Sequence, residues 1–263
     1  MLLQDKVVVV TGAARGMGRG IAEAAAEAGA DLVLGDLDLA GAQETAGLVA
    51  ALGRRALAIE LDVTRADRVD AAVARAVEAF GRIDGWVNNA GAMRMDPALD
   101  IMAADFDRQM QVNVSGLFLC AQAAARQMIA QGRDADGVAG AVVNIASNAG
   151  KVGYRNMATY NASKAAVINL TRSLSLEWAE HGINVNALCP GGVDTPMLLD
   201  VAKWVTGRIG GDPADLVQQM KPHQMARHIR PVEVGRVVAF LLSSQALIIR
   251  GQSINVDGGD TPY

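Results

Sequence analysis

Apolar positions along this 263-residue chain fall in short dense runs, separated by longer stretches with helical spacing. The first run, residues 6–10, is almost all valine, and β-branched side chains suit a pleated strand. An Ala-rich helical pattern follows over about 17–28 and stops at Gly29. The alternation then repeats. Strands are predicted at 31–35, 56–60 and 83–87, with helices at about 40–52 and from 64 or 65 to 80. Gly53 and Gly81 close those two helices. A long helical stretch covers 103–130, and strands follow at 141–145 and 183–188 around a helix at 159–179. A helix at 232–242 and a short strand at 253–256 complete the pattern.

Strands apolar on both faces predict a parallel sheet covered by helices on both sides. Right-handed crossovers then give an α/β doubly wound, Rossmann-type sheet. No composition shift marks a boundary, so residues 1–263 are expected to form one domain. Two segments break the alternation. Residues 132–140 read as an exposed Gly- and Asp-containing loop. Residues 191–231 are longer and mixed, with Trp204, Gly207, Gly210, Gly211, Pro213 and Pro222, and connections of that length are usually lids or binding loops.

Composition narrows the classes. Hydrophobic residues make up 51% and charged residues 20%, which supports a large core and excludes disorder. The net charge of −4, with both signs mixed along the chain, argues against nucleic acid or an anionic membrane as partner. Cys120 and Cys189 have no metal-ligand spacing and no disulfide framework, so two reduced, buried thiols and no metal are expected. There is no charged-then-apolar leader and no run long enough to span a bilayer, which makes the cytoplasm the expected compartment.

The candidate chemistry begins after the first strand. Gly12, Gly16 and Gly18 sit in Thr11-Gly12-Ala13-Ala14-Arg15-Gly16-Met17-Gly18, which leads from a strand into a helix. Glycines there allow a tight turn and close approach to a pyrophosphate, and the helix start supplies unpaired N–H groups. The spacing is GxxxGxG, and a glycine turn alone is weak evidence. Asp36 ends the second strand, 24 residues after Gly12, where a carboxylate can accept from ribose hydroxyls and repel a 2′-phosphate. Asp38 competes for that role, and Arg15 could assist a phosphate. The balance favours NAD(H), with NADP(H) still possible.

Tyr160 and Lys164 are four apart in a helical segment and therefore share a face. A nearby ammonium favours the phenolate, so Tyr160 can serve as general acid or base. Ser147 follows the fifth strand, at the carboxyl edge where doubly wound sheets bind ligands. Its hydroxyl can orient a carbonyl oxygen. Asn113, in the long helical stretch, can hold a water near Lys164, although an ordinary helix polar residue is the bland reading. Asn88-Asn89-Ala90-Gly91 closes the fourth strand at the same edge.

Taken in order, Thr11 to Gly18, Asp36, Asp62-Val63, Asn88 to Gly91, Asn113, Ser147, Tyr160, Lys164, Pro190-Gly191 and Thr195 resemble the short-chain dehydrogenase/reductase family over essentially the whole chain. The resemblance implies a catalytic tetrad of Asn113, Ser147, Tyr160 and Lys164. Tyr160 would move the substrate proton and Ser147 would hold the substrate oxygen. Lys164 would lower the Tyr160 pKa and bind the nicotinamide ribose, and Asn113 would support a relay water. Gly12, Arg15, Gly16, Met17 and Gly18 would cradle the phosphates, and Asp62 and Val63 would contact the adenine. Asn89, Gly91 and Pro190 would line the cofactor groove, and Val193 and Thr195 would hold the carboxamide. The family's sheet has seven parallel strands in the order 3-2-1-4-5-6-7. Its members are usually homodimers or homotetramers, and its substrate lid corresponds to 191–231.

The substrate side is less legible. Asn148, Ala149, Tyr154, Gly191 and Met197 form the expected rim, with Tyr154 and Trp204 as candidate covers for an apolar substrate. Lys221, His223, Arg227, His228 and Arg230 make a basic stretch, read as a solvated face or as a greeting for an acyl-carrier protein. The expected function is an NAD(H)-linked oxidoreductase for a secondary alcohol or ketone: a small alcohol, polyol, sugar or cyclic alcohol. The alternatives are a 3-oxoacyl-thioester reductase using NADPH and a non-catalytic dinucleotide sensor or scaffold.

Overall fold

A computed structural model of the chain describes residues 1–261. Seven strands form one parallel sheet in the order β3-β2-β1-β4-β5-β6-β7. They are β1 (Val7–Thr11), β2 (Asp31–Asp36), β3 (Ala56–Glu60), β4 (Gly85–Asn88), β5 (Gly140–Ile145), β6 (Ile183–Pro190) and β7 (Ser253–Val256). Valines and leucines on both faces of β1 and β2 are fully buried, as the continuous apolar runs require. The chain reverses its direction of winding at β1, which pairs with β2 on one side and β4 on the other. The crevice outside the carboxyl ends of β1 and β4 is where such sheets take ligands.

One face of the sheet carries α1 (Gly16–Glu27), α2 (Leu39–Ala51) and α9 (Pro231–Leu241), and its core includes Val8, Val10, Ile21, Leu32, Leu34, Val238 and Leu241. The other face carries α3 (Ala66–Phe80), α5 (Leu117–Ala130) and α6 (Ala158–Trp178), and its core includes Val9, Val33, Ile59, Trp86, Met128 and Ile183. Each fully buried side chain of this size contributes about 1.5–3 kcal/mol of transfer free energy. The helix ends follow local chemistry. Asp38 caps α2 by accepting from the Gly41 N–H at 3.0 Å, and Gly81 ends α3 in the left-handed conformation.

Two expectations are corrected. The stretch 103–130 is not one regular helix: α4 (Ala103–Met110) runs into a π turn (Gln111–Gly116) before α5. The segment 191–231 is not irregular throughout, since it holds α7 (Pro196–Ile209) and α8 (Pro213–Gln219). Pro196 and Pro213 stand at helix starts, where a missing N–H costs nothing. The loop at 132–140 is exposed through most of its length, as expected. Among the described residues no helix is long and apolar enough to cross a membrane.

Candidate active site

The glycine turn is built into the sheet from both sides. Gly12 and Gly16 have φ of +65° and +56°, a region that favours glycine. A Cβ at Gly18 would lie 2.0 Å from the Gly12 carbonyl oxygen, so the helix can start this close only without a side chain. Helix α1 has no side-chain cap and no acid in its first turn. Its leading N–H groups and positive dipole end are therefore suited to a phosphate. Arg15 is exposed beside them. Met17 is half-buried, and Thr195 and Pro196 lie against Gly16.

The turn is tied to the end of β4. Thr11 Oγ1 accepts from the Asn89 and Ala90 N–H groups, both at 3.0 Å. Asn89 Nδ2 donates to the Thr11 and Gly12 carbonyls at 2.9 and 3.0 Å. Asn89 thus shapes the cradle and has no amide hydrogen left over. Arg19, which sequence reasoning missed, clamps the turn to α2 through the Ala14 carbonyl, Thr45 and Glu44.

Asp36 and Asp38 are now distinct. Asp36 Oδ2 accepts from the Ala14 N–H at 2.9 Å and its Oδ1 from the Asp38 N–H at 3.0 Å, which holds the carboxylate at the rim of the turn. Asp38 is committed to capping α2. Asp62 accepts from the N–H and hydroxyl of Thr64 through one oxygen. Val63 packs on the π turn, where a Cβ at Gly116 would meet its side chain at 2.9 Å.

The four tetrad residues come together at the carboxyl edge of β4 and β5. Asn113 lies in the π turn and is buried. Its Nδ2 donates to the Ala92 carbonyl at 2.9 Å and to Ser163 Oγ at 3.0 Å, and its Oδ1 accepts from the Ala92 N–H at 2.8 Å. Only a lone pair on Oδ1 remains for a water. The space that a side chain at Gly91 would fill is bordered by that oxygen at 3.5 Å and by Lys164 Nζ at 3.7 Å. Gln109, one turn earlier, accepts from the Arg94 N–H at 3.0 Å and fixes the same loop. Its i, i+4 spacing from Asn113 was the available signal.

Ser147 Oγ accepts from the Ala149 N–H at 3.1 Å and hydrogen-bonds Tyr160. Lys164 Nζ lies 5.6 Å from the centre of the Tyr160 ring and donates to the Ile145 carbonyl at 2.9 Å. Burial pushes the Lys164 ammonium down to about 8, opposed by neighbouring Cys189. Burial also pushes the Tyr160 phenol up, against the bond from Ser147. This corrects the simple expectation of a lowered phenol: among the protein's own groups desolvation outweighs every other influence, and the ammonium is directed at a carbonyl. A phenol and a hydroxyl facing one point, with an ammonium behind, can hold a substrate oxygen and move its proton.

A model described as Enoyl-(Acyl carrier protein) reductase matches residues 12–261. The chain is 40% identical to a cis-4-hydroxycyclohexanecarboxylate dehydrogenase of Sinomonas cyclohexanicum, over 98% of this chain and 97% of that one. It is 39% identical to a galactitol 2-dehydrogenase of Agrobacterium fabrum, over 99% of both. The crystal structure of a short-chain type dehydrogenase/reductase from Mycobacterium marinum superposes with a TM-score of 0.88 at 33% identity, covering 99% of this chain and 97% of that one. The chain belongs to the short-chain dehydrogenase/reductase family. It is an oxidoreductase acting on CH–OH groups, and its family works with nicotinamide cofactors.

Around this centre, the residues of this short-chain dehydrogenase/reductase that were expected at the rim are unequally placed. Ala149 is buried behind Ser147. Tyr154 and Met197 are partly exposed, at 42% and 39%. Gly191 lies close to Asp257, where a Cβ would meet the Asp257 Cβ at 2.7 Å. Pro190 ends β6, and Val193 bridges to Ile229. Thr195 Oγ1 donates to the Val193 carbonyl at 3.3 Å. Arg208 stacks over Trp204 at 3.5 Å, so that ring has a cationic cover of its own. The basic stretch is partly paired: Arg227 and Arg230 share the single carboxylate of Glu233, and His223 lies against Asp260. Cys120 and Cys189 are buried free thiols, and burial pushes Cys120 up to about 12. No group of His, Cys, Asp and Glu among the described residues could hold a metal ion.

Proposed function

We propose that the chain moves a hydride between NAD(H) and a secondary alcohol or ketone, with Tyr160 giving or taking the proton at the substrate oxygen. One observation carries the reading: Ser147, Tyr160 and Lys164 meet at the carboxyl edge of the sheet, the same edge that carries the glycine turn and, at its other end, Asp36. The dinucleotide, when bound, accepts or supplies the hydride at its nicotinamide. Ser147 orients the substrate oxygen. The Ser147 hydrogen bond opposes the desolvation of Tyr160, and Lys164 holds the nicotinamide ribose. The space at Gly91, between Asn113 Oδ1 and Lys164 Nζ, has room for a relay water.

The cofactor fits the residues present. The uncapped start of α1, with Gly12, Gly16, Met17 and Gly18, takes the pyrophosphate. Asp36 accepts from the ribose and repels a 2′-phosphate, so NAD(H) is preferred, while exposed Arg15 keeps NADP(H) usable. Asp62 and Val63 flank the adenine, and Val193 and Thr195 meet the carboxamide. Asn89, Gly91 and Pro190 line the groove. Ala149, Tyr154, Gly191 and Met197 face the substrate under a lid formed by 191–231. Residues 1–263 act as one catalytic unit, assembled as a dimer or tetramer in the cytoplasm.

A cyclic alcohol and a polyol are both within reach of this reading, since relatives named for each share about two-fifths of the sequence. Thioester reduction with NADPH has the family model's description in its favour. Asp36 opposes it, and the basic lid stretch gives it little support, because Arg227 and Arg230 are already turned to Glu233. The test is Tyr160→Phe. Turnover of a secondary-alcohol panel should fall about a thousand-fold while the NADH dissociation constant stays within a few-fold. Undiminished turnover would refute the mechanism, and NADPH-linked reduction of 3-oxoacyl thioesters alone would select the second reading.

A further inference from the structure

Helix α7 is lightly anchored. Val201, Ala202 and Thr206 are its buried residues, while Met197, Leu199 and Ile209 stand exposed. Gly210 and Gly211, with φ of +81° and +106°, form a joint directly after its last residue. Arg208, in the last turn, reaches out of the helix to Asp96, with Nη2 at 3.9 Å from Oδ1. Asp96 is a junction. Its Oδ2 accepts from Arg94 Nε at 2.7 Å, and Arg94 Nη1 also pairs with Asp105 of α4 at 2.8 Å. Its main-chain N–H donates to the Asn156 carbonyl at 3.0 Å. Asn156, held at φ +62°, lies two residues before α6, the helix that carries Tyr160 and Lys164. The carboxylate that faces α7 is therefore fixed to both loops that flank the tetrad.

We propose that the Asp96–Arg208 ion pair is a latch that holds α7 down over the site, and that its release admits substrate and lets product leave. The proposal rests on the reading of 191–231 as a lid given above. Opening strands no charge. Arg208 moves with Trp204, over whose ring it stacks at 3.5 Å and which belongs to the same helix, and Asp96 keeps Arg94. Both partners are partly solvated, so the pair shifts the equilibrium by only a few-fold. A weak pair suits a contact that breaks in every turnover. Against an anchor of three buried side chains of modest size, it decides how often the helix lifts.

The test is hydrogen exchange of residues 196–209, read by mass spectrometry on the full-length protein. Asp96→Asn and Arg208→Gln should each speed exchange there by about two- to four-fold. The double variant should be no faster than the faster single one, because both remove the same pair. Sodium chloride at about 0.5 M should speed the wild type similarly and leave the double variant unchanged. On a secondary alcohol that the wild type oxidises, either variant should raise KM by about two- to four-fold without lowering kcat. Exchange that neither the variants nor salt alters overturns the latch, as does full additivity of the two substitutions. Faster exchange with an unchanged KM overturns it too, since the helix would then move without gating the site. Turnover that survives Tyr160→Phe would sink the oxidoreductase mechanism and leave the exchange result standing.

Discussion

Lys164 illustrates how a single side chain is held against its own solvation. The residue is 5% exposed, and its ammonium donates to the Ile145 carbonyl at 2.9 Å. Burial lowers it from 10.5 to about 8, so the folded state binds this proton less tightly than the unfolded chain does. The cost is therefore full below pH 8 and fades between about 8 and 10.5. Lys164→Met should stabilise the protein at pH 7 by about 1–2 kcal/mol, after the orphaned Ile145 carbonyl is counted, and should gain nothing at pH 10.5. Urea unfolding at the two pH values checks this, and an equal gain at both would contradict the burial argument. Turnover should be lost throughout. At the other end of the crevice, Asp36→Ala should weaken NADH binding about ten-fold and narrow the gap to NADPH, measured by fluorescence titration. Asp36 and the Tyr160/Lys164 pair were legible as residues, because a strand-end acid and an i, i+4 spacing are sequence features. The raised phenol was not, because desolvation depends on neighbours far away in the chain.

At the scale of elements, the helix that presents Tyr160 and Lys164 is anchored by a buried polar chain. Trp86 Nε1 donates to Asn88 Oδ1 at 2.9 Å, and Asn88 Nδ2 donates to Asn144 Oδ1 at 2.9 Å. Asn144 Nδ2 donates to Thr171 Oγ1 at 3.0 Å, and Thr171 donates to the Val167 carbonyl at 2.8 Å. The relay links β4, β5 and α6 through registered neighbours, since Asn88 pairs directly with Asn144. Asn144→Leu would leave a donor and an acceptor unpaired inside the sheet, at a cost of about 2–4 kcal/mol. Denaturant unfolding of the variant measures it, and a loss below about 1 kcal/mol would mean that the relay contributes little. Nothing in the strand pattern announced this chain, since Asn88 and Asn144 interrupt apolar runs without revealing their partners. The π turn at Asn113 was equally hidden, because helical periodicity continues through 103–130 while one turn widens. The helices within 191–231 were missed for another reason. Glycines at 207, 210 and 211 broke the pattern, although Thr195-Pro196 and Asp212-Pro213 are readable helix starts.

For the whole molecule, an early and a late helix of the chain meet where α1 crosses α9. A Cβ at Gly20 would lie 2.4 Å from Pro231 Cβ, and one at Gly235 would lie 2.6 Å from the Gly20 carbonyl oxygen. The helices therefore approach to backbone contact, and the strand order was legible only through the family resemblance while this crossing was not legible at all. Its consequence reaches the cradle, because the start of α1 is the end proposed to hold the phosphates and its middle is fixed by α9. Gly235→Val must push the helices apart, and overpacking of this kind costs about 1–3 kcal/mol. The displacement should also tilt the first turn of α1 and weaken NADH binding about ten-fold. Thermal melting and NADH titration on the same sample test the coupling. Both should fall together in Gly235→Val, whereas Tyr160→Phe should leave NADH affinity near its wild-type value. A lower melting temperature with unchanged NADH affinity would mean that the strand edge and the Asn89 clamp hold the cradle by themselves.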